Sequence, residues 1–218
     1  MKKLLSALIV TFSLISFGAA FSFEYRVGLA MSQGAWYGIG KEVNTTAITE
    51  ESGAFEANYA SVFGEIAVND RISFGLEYVP EDISTPTNTN AQLDKVTATP
   101  AGAVKTNTAK ATFQDILTAY VQADIWGGLY AKLGYIQASV ITNESLGTGG
   151  SYGNVDTTGA MIGVGYNHDL DNGWFVRGEV QAQTFQDVKA TNSSETTKVI
   201  TVSDMMGAQG SIRIGKTF

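Results

Sequence analysis

The chain has 218 residues, 44% of them apolar, with 24 glycines, 3 prolines, no cysteine, a single histidine and a formal charge of −7. That balance excludes a disulfide framework and thiolate metal sites, argues against nucleic acid as a partner, and fits neither a collagenous nor a disordered chain. A chain of this size admits one domain and leaves little room for a second.

The N-terminus carries a basic start at Lys2 and Lys3, an apolar run from Leu4 to Phe17, and the small residues Gly18, Ala19 and Ala20. This is the pattern of a cleaved secretory signal peptide over residues 1–20, with Ser22 as an alternative cleavage point. The apolar run is about 14 residues long, short of the roughly 20 a membrane helix requires, and no cysteine stands near the cleavage point to carry a lipid. Removing Lys2 and Lys3 takes the formal charge from −7 to −9, leaving residues 21–218 as one acidic domain.

Helical periodicity is absent from that domain, and alternation recurs at intervals. Phe23, Tyr25, Val27, Leu29 and Met31 alternate with Glu24, Arg26, Gly28, Ala30 and Ser32. Ala60, Val62, Gly64, Ile66 and Val68 alternate with Tyr59, Ser61, Phe63 and Glu65. After Asn69-Asp70, Ile72, Phe74, Leu76 and Tyr78 alternate with Ser73, Gly75 and Glu77, so the second and third segments form a tight hairpin. The fourth sets Phe113, Leu117, Ala119, Val121, Ala123 and Ile125 against Gln114, Thr118, Tyr120, Gln122 and Asp124, and Trp126-Gly127-Gly128 turns it back. In the fifth, Leu129, Ala131, Leu133 and Tyr135 oppose Lys132 and Gly134. Its alternation blurs at Ile136 and Gln137, where a bulge is expected.

The sixth segment opposes Ala160, Ile162, Val164, Tyr166 and Leu170 to Gly159, Gly163, Gly165, Asn167 and Asp169, and Asp171-Asn172-Gly173 supplies an Asn-Gly turn. The seventh opposes Trp174, Val176, Val180 and Ala182 to Arg177, Glu179, Gln181 and Gln183. In the eighth, Ile200, Val202, Met206, Ala208, Ile212 and Ile214 make the apolar series, and Ser203, Gln209, Ser211, Arg213 and Thr217 the polar one.

Short and long connections alternate along the chain. The short ones are Asn69-Asp70, Trp126 to Gly128 and Asp171 to Gly173; the long ones run from Gly34 to Gly53, Pro80 to Lys110, Asn143 to Asn154 and Gln186 to Val199. Antiparallel strands then place every short turn and both termini at one end and every long loop at the other, the asymmetry of an outer-membrane barrel with periplasmic turns and extracellular loops. Trp126, Trp174, Tyr166 and Phe218 fall near the turn end, and Tyr37, Tyr59, Tyr78 and Phe113 near the loop end, as two interfacial girdles would.

A soluble barrel would bury the apolar face around a ligand, whereas a membrane barrel turns it to lipid and fills a narrow lumen with the polar face. The polar face holds Glu24, Arg26, Glu65, Glu77, Asp124, Lys132, Arg177, Glu179 and Arg213. Both signs are present in nearly equal number, so the charges can pair inside and plug the lumen. A clean aliphatic outer series and small inner glycines favour this placement.

The closing strand ends on Phe218, which resembles the terminal insertion signal of bacterial outer-membrane barrels read by the barrel assembly machinery. From Phe23 to Phe218 the chain resembles the small outer-membrane β-barrel group that includes the OmpA transmembrane domain, OmpX and the Opa-type opacity proteins. The resemblance implies an all-β fold, an eight-stranded antiparallel transmembrane up-and-down barrel with a plugged polar lumen. It further implies a monomer in outer-membrane lipid and lipopolysaccharide, with loops whose roles range from structural support to adhesion. Two features depart from it: nothing follows Phe218, so the peptidoglycan-binding domain of full OmpA is expected to be absent, and Lys216 stands where the terminal signal usually has an aromatic or apolar residue.

Some barrels of this size remodel lipid A with a histidine, a serine and an acid near the outer leaflet. His168 sits instead beside the Asp171 to Gly173 turn on the lipid-facing parity, where it reads as an isolated interfacial residue. Loop acids such as Glu42, Glu50, Glu51, Glu81, Asp82, Asp94, Glu144, Asp156, Asp187 and Glu195 lack the spacing of a calcium loop and read as a solvated surface. Gly163 and Gly165 lack the third glycine and helix of a nucleotide motif. The Thr-rich stretch from Thr85 to Thr112 reads as mobile or as an extended β-ribbon. The expectation is a non-enzymatic envelope protein without cofactor or metal, the alternatives being a small porin-like channel or an adhesin whose loops take an extracellular ligand.

Overall fold

A computed structural model describes residues 23–44, 47–93, 104–147 and 149–218; the expected signal peptide lies outside them. The strands are β1 (Glu24–Asn44), β2 (Ala47–Ala67), β3 (Ile72–Val79), β4 (Ile83–Ser84), β5 (Asn88–Leu93), β6 (Val104–Trp126), β7 (Leu129–Leu146), β8 (Val155–Asp169), β9 (Trp174–Phe185), β10 (Val188–Thr191) and β11 (Lys198–Thr217). Eight of these form a ring in the order β1-β2-β3-β6-β7-β8-β9-β11, and β11 pairs back onto β1 from Arg26 against Thr217 to Asn44 against Lys198. Closure pairs every strand of the ring on both sides near the short turns, while above Val62 β2 pairs with β1 alone. The predicted eight-stranded antiparallel barrel is the observed fold.

The alternating series sort as the period of two requires. Leu29, Met31, Val62, Phe74, Leu133, Ile162, Val180 and Ile212 stand exposed on the outer surface. Their neighbours Ala30, Ser32, Ser61, Phe63, Ser73, Lys132, Met161, Glu179 and Arg213 are buried in the lumen. The barrel is therefore inside out, with aliphatic side chains outside and charge within.

The short turns are built as their sequences suggest. Asn69 Oδ1 accepts from the backbone N–H groups of Arg71 and Ile72 at 2.9 and 2.8 Å, an Asx turn that closes β2 onto β3. Gly127 (φ 58°) and Gly128 (φ 91°) carry the chain from β6 to β7, and Gly128 is held against β8 by the Asn167 N–H, 2.8 Å from its carbonyl. A Cβ on Gly128 would lie 2.4 Å from the Asn167 carbonyl oxygen, so conformation and space both select glycine.

The long connections differ from their expected extents because strand pairing continues far beyond the alternating segments. β1 and β2 run as a ladder from Glu24 against Ala67 out to Asn44 against Ala47, with β11 on the other side of β1 as far as Asn44, so most of the expected Gly34 to Gly53 loop is paired strand. β7 continues to Leu146, and β10 folds back on β11 from Val188 against Val202 to Thr191 against Val199. In the Thr-rich stretch, β4 and β5 pair with β6, which is the ribbon alternative; residues 94–103 lie outside those described. A ribbon with solvent on both faces needs no apolar alternation, so its sequence looks like loop while its backbone hydrogen bonds are those of sheet.

Two bulges change the phase within the wall, and a third register shift, between Asp124 and Trp126, lies beside the β6–β7 turn. On β6, Asp115 and Ile116 oppose the single residue Ala138, and on β11, Asp204 and Met205 oppose the single residue Gly38. Asp115 and Asp204 each have φ 51°, the left-handed conformation usually given to glycine at the first bulge position. The bulge expected on β7 is absent: Leu129 to Val140 pairs with β8 without a shift, and the irregularity lies on the facing strand β6. Consequently Phe113, Ile200 and Val202 line the lumen cavity rather than the outer surface, and Ile136, Ala138 and Val140 point inward on an unbroken alternation. Tyr59 is also lumenal, so it and Phe113 drop out of the expected loop-end girdle. Tyr37, Trp126, Tyr166, Trp174 and Phe218 are exposed.

Candidate functional site: a lumen in two zones

The half of the lumen nearest the short turns holds six almost completely buried charges, Glu65, Glu77 and Glu179 with Lys132, Arg177 and Arg213. Three acids face three bases, so the cluster is neutral. Arg213 stands at its centre, with Nη1 2.8 Å from Glu77 Oε2 and Nη2 2.9 Å from Glu179 Oε1. Lys132 Nζ lies 3.2 Å from Glu179 Oε1 and 3.5 Å from Glu77 Oε2. Arg177 forms the third anchor, its Nη1 2.6 Å from Glu65 Oε1.

The carboxylates also accept from neutral donors: Glu65 from the Tyr120 hydroxyl at 2.8 Å, Glu179 from Tyr130 at 2.8 Å, and Glu77 from Ser61 at 2.7 Å. Gln181 donates to Glu179 as well. Rings cover the cations, with Lys132 Nζ 3.8 Å from the Tyr120 centroid and the Arg177 guanidinium 4.3 Å from that of Phe175. Removing two charges from water costs several kcal/mol each, and only paired, hydrogen-bonded geometry offsets it.

Lumenal glycines make room for these rings. A Cβ on Gly75 would fall 2.3 Å from the Tyr120 ring, one on Gly165 2.4 Å from the Tyr130 ring, and one on Gly215 2.4 Å from the Phe175 ring. Each large side chain is therefore seated over a glycine on a neighbouring strand.

The remaining residues of the expected charge network lie toward the turn end. Arg26 Nη2 is 2.6 Å from Glu24 Oε1, and its Nη1 is 3.9 Å from the buried Glu65, which ties this half-exposed pair loosely to the cluster. Asp124 stands apart, accepting a 3.0 Å hydrogen bond from Gln122 in a vestibule of about 420 Å³ that Glu24, Arg26, Asp70, Asn167 and Asp169 also line. Phe218 pairs through its backbone with Tyr25, donating at 2.8 Å and accepting at 3.2 Å. Lys216 lies 5.4 Å from the Phe218 ring and 5.8 Å from that of Trp174, covering both. His168 is exposed on β8 opposite Val176.

Toward the ribbon end the lumen changes character. Trp36 stacks on Phe55 with centroids 5.3 Å apart, Phe55 stacks on Phe113 at 5.9 Å, and Tyr59, Val79, Ile83 and Ile116 pack against them. These residues border an open cavity of about 950 Å³, together with Ile136, Ala138, Val140, Ile200 and Val202. Its floor is a chain of amides: Trp36 Nε1 donates to Gln183 at 3.1 Å, Gln183 donates to Gln209 at 2.8 Å, and the Tyr59 hydroxyl donates to Gln209 as well. At the ribbon end, burial and then the Glu42 carboxylate push the Tyr152 hydroxyl up to about 12, so it lines the mouth as a neutral group.

The aromatic and amide lining of this zone does not follow from strand parity, which predicts a uniformly polar lumen. Two signals pointed to it. Asp115 is followed by the apolar pair Ile116-Leu117 and Asp204 by Met205-Met206, a break in alternation that a bulge produces.

No family model and no curated protein matches the chain. Among solved structures it is similar to the outer membrane protein OprG from Pseudomonas aeruginosa, with 10% identity, 89% of this chain and 95% of that one covered, and a TM-score of 0.55. It is also similar to the outer membrane protease OmpT from Escherichia coli (8% identity, 92% and 99% covered, TM-score 0.44). For Neisserial surface protein A the values are 12%, 87% and 97%, and 0.38. The OprG likeness establishes a shared β-barrel fold and says nothing of chemistry.

Proposed function

We propose that the chain is a non-enzymatic outer-membrane β-barrel protein of a Gram-negative bacterium, with short turns and termini in the periplasm and ribbons outside. It would act as a monomer in phospholipid and lipopolysaccharide, delivered by the barrel assembly machinery through the Phe218 strand. The reading includes kinship of type with the OmpA, OmpX and Opa group. Its role would be structural support of the envelope and display of the ribbons.

One observation carries the reading: a closed ring wears its aliphatic side chains outside while six paired charges fill its centre. In water that arrangement would expose the apolar belt and bury the ions for no gain, whereas in lipid the belt is solvated and the ions have no alternative to one another. The neutral, hydrogen-bonded cluster spans the lumen and favours a plug over a porin-like path. His168, alone near the turn end, supports the absence of acid–base chemistry at the outer leaflet.

Cysteine placed at adjacent outer and inner positions tests this. A lipid-phase probe should label Ile212→Cys and spare Ser211→Cys in the intact cell envelope. Heat-modifiable gel migration and silent single-channel recordings should accompany that result. Equal labelling of both positions, or recovery of the folded protein in the soluble periplasmic fraction, would overturn the proposal.

A further inference from the structure

We infer that the ribbon-end cavity is a binding site for one small, uncharged, largely apolar molecule with a flat or aromatic body. The volume is that of ligand pockets, which run from about 300 to 1,000 Å³ and combine apolar walls with a few polar groups. Here the walls are the stacked Trp36, Phe55 and Phe113 with Val79, Ile136 and Val140, and the polar groups are the floor amides Gln183 and Gln209.

Three features define the ligand. The row of rings Trp36, Phe55 and Phe113, the last two inclined by 11°, makes one wall of the cavity aromatic, a surface against which a flat or aromatic body packs edge to face. Gln183 and Gln209 offer amide hydrogen bonds without charge, suited to one neutral polar group on an apolar body. Among the described residues the upper lining sets Lys41, Lys110 and Lys198 against Glu42, Glu51 and Glu144, and Glu77 below them is taken by Arg213 and Lys132, so the lining holds no cluster of one sign to select an ion. Lys198 is moreover occupied by Glu195, 2.9 Å away.

The two aspartate bulges make the cavity apolar. Below Asp115 and Asp204 the inward parity carries Tyr120, Gln122, Gln209 and Arg213; above them it carries Phe113, Val202 and Ile200. A wall without the bulges would turn these three outward. The ionic cluster closes the cavity beneath, with Glu77, Gln181 and Gln209 at the boundary, so the cup is blind and holds its ligand rather than passing it through.

The test uses the full mature chain in lipid nanodiscs, with Trp126→Phe and Trp174→Phe leaving Trp36 as the sole tryptophan. N-phenyl-1-naphthylamine serves as a neutral aromatic probe and energy acceptor. Transfer from Trp36 should saturate at one probe per barrel and weaken at least tenfold in Ala138→Phe and in Val140→Phe, each checked for folding by heat-modifiable migration. Val164→Phe, on the outer surface, should bind unchanged. An anionic naphthalene sulfonate should bind at least tenfold more weakly than the neutral probe.

A second arm finds the source of the natural occupant. Quenching of Trp36 by brominated acyl chains of the surrounding bilayer, lost in Ala138→Phe, would assign the site to a lipid chain; saturable binding with no such quenching would assign it to a solute. Transfer that rises without saturation and is equal in all folded variants would mean partition into lipid and would overturn the inference.

Discussion

The two halves of one lumen solve the problem of filling a narrow barrel by opposite means. In the cluster on the turn side, six charges pair across the axis and fill the space, with rings seated over glycines. At the ribbon end, the wall between the amide floor and the charged mouth is aromatic and aliphatic, yet it leaves a cavity of about 950 Å³. Polarity and packing are therefore separate properties of a lumen. The polar half is closed and carries specific pairing, while the apolar half is open and carries surface unused by the fold.

The comparison breaks most severely at Arg213, which touches both Glu77 and Glu179 and is wholly buried. Arg213→Met should cost about 3–5 kcal/mol, the penalty for leaving a buried ion uncompensated, read as a lowered midpoint of reversible urea unfolding in vesicles. Adding Glu77→Gln removes one stranded charge and leaves Lys132 with Glu179 and Arg177 with Glu65. The double variant should recover more than half of the loss, because the two positions form one network and their effects do not add. Equal losses in single and double variants would mean that the cluster contributes by packing alone.

A gentler effect is expected in the other half. Phe55→Ala removes a ring that stacks between Trp36 and Phe113, but the ring already borders open space. Its cost should therefore be about 1–2 kcal/mol, below the roughly 3–5 typical of a phenylalanine truncated in a close-packed core. The same urea titration decides the point, and a loss as large as that of Arg213→Met would mean that the ribbon end is as tightly specified as the plug.

What could be read from the sequence divides along the same boundary. The turn-end half was legible because strict alternation, short Gly- and Asn-containing turns and a polar face of balanced sign all follow from a wall one residue thick with an apolar outer face. Glu65, Glu77, Lys132, Arg177, Glu179 and Arg213 could be placed inward by parity alone. Their partners could not, since parity says nothing about which residues meet across the axis, and the Tyr120 and Tyr130 hydroxyls were missed for that reason. The ribbon-end half was obscure because parity was carried across Asp115 and Asp204 as though the wall were regular. One extra residue inverts every assignment beyond it, which is how Phe113, Ile200 and Val202 were placed on the wrong face.

The smallest expected effect tests that inversion at its source. Asp115 and Asp204 sit at φ 51°, where glycine is at ease, aspartate tolerable and a β-branched residue strained. Asp115→Gly should change stability by less than about 0.5 kcal/mol, whereas Asp115→Val should cost about 1–2 kcal/mol, the usual penalty for forcing a bulky residue into the left-handed region. The same pair of changes at Asp204 should behave alike, because the bulge there has the same two-against-one pairing on the other side of the cavity. Valine also favours a regular strand, so its strain can be relieved by sliding the bulge out. In that case a cysteine at Phe113 would become accessible to a lipid-phase probe in the Asp115→Val background and remain protected in Asp115→Gly. Protection in both backgrounds, with valine costing nothing, would show that the phase change is held by the aromatic packing above it and not by the conformation of the aspartate.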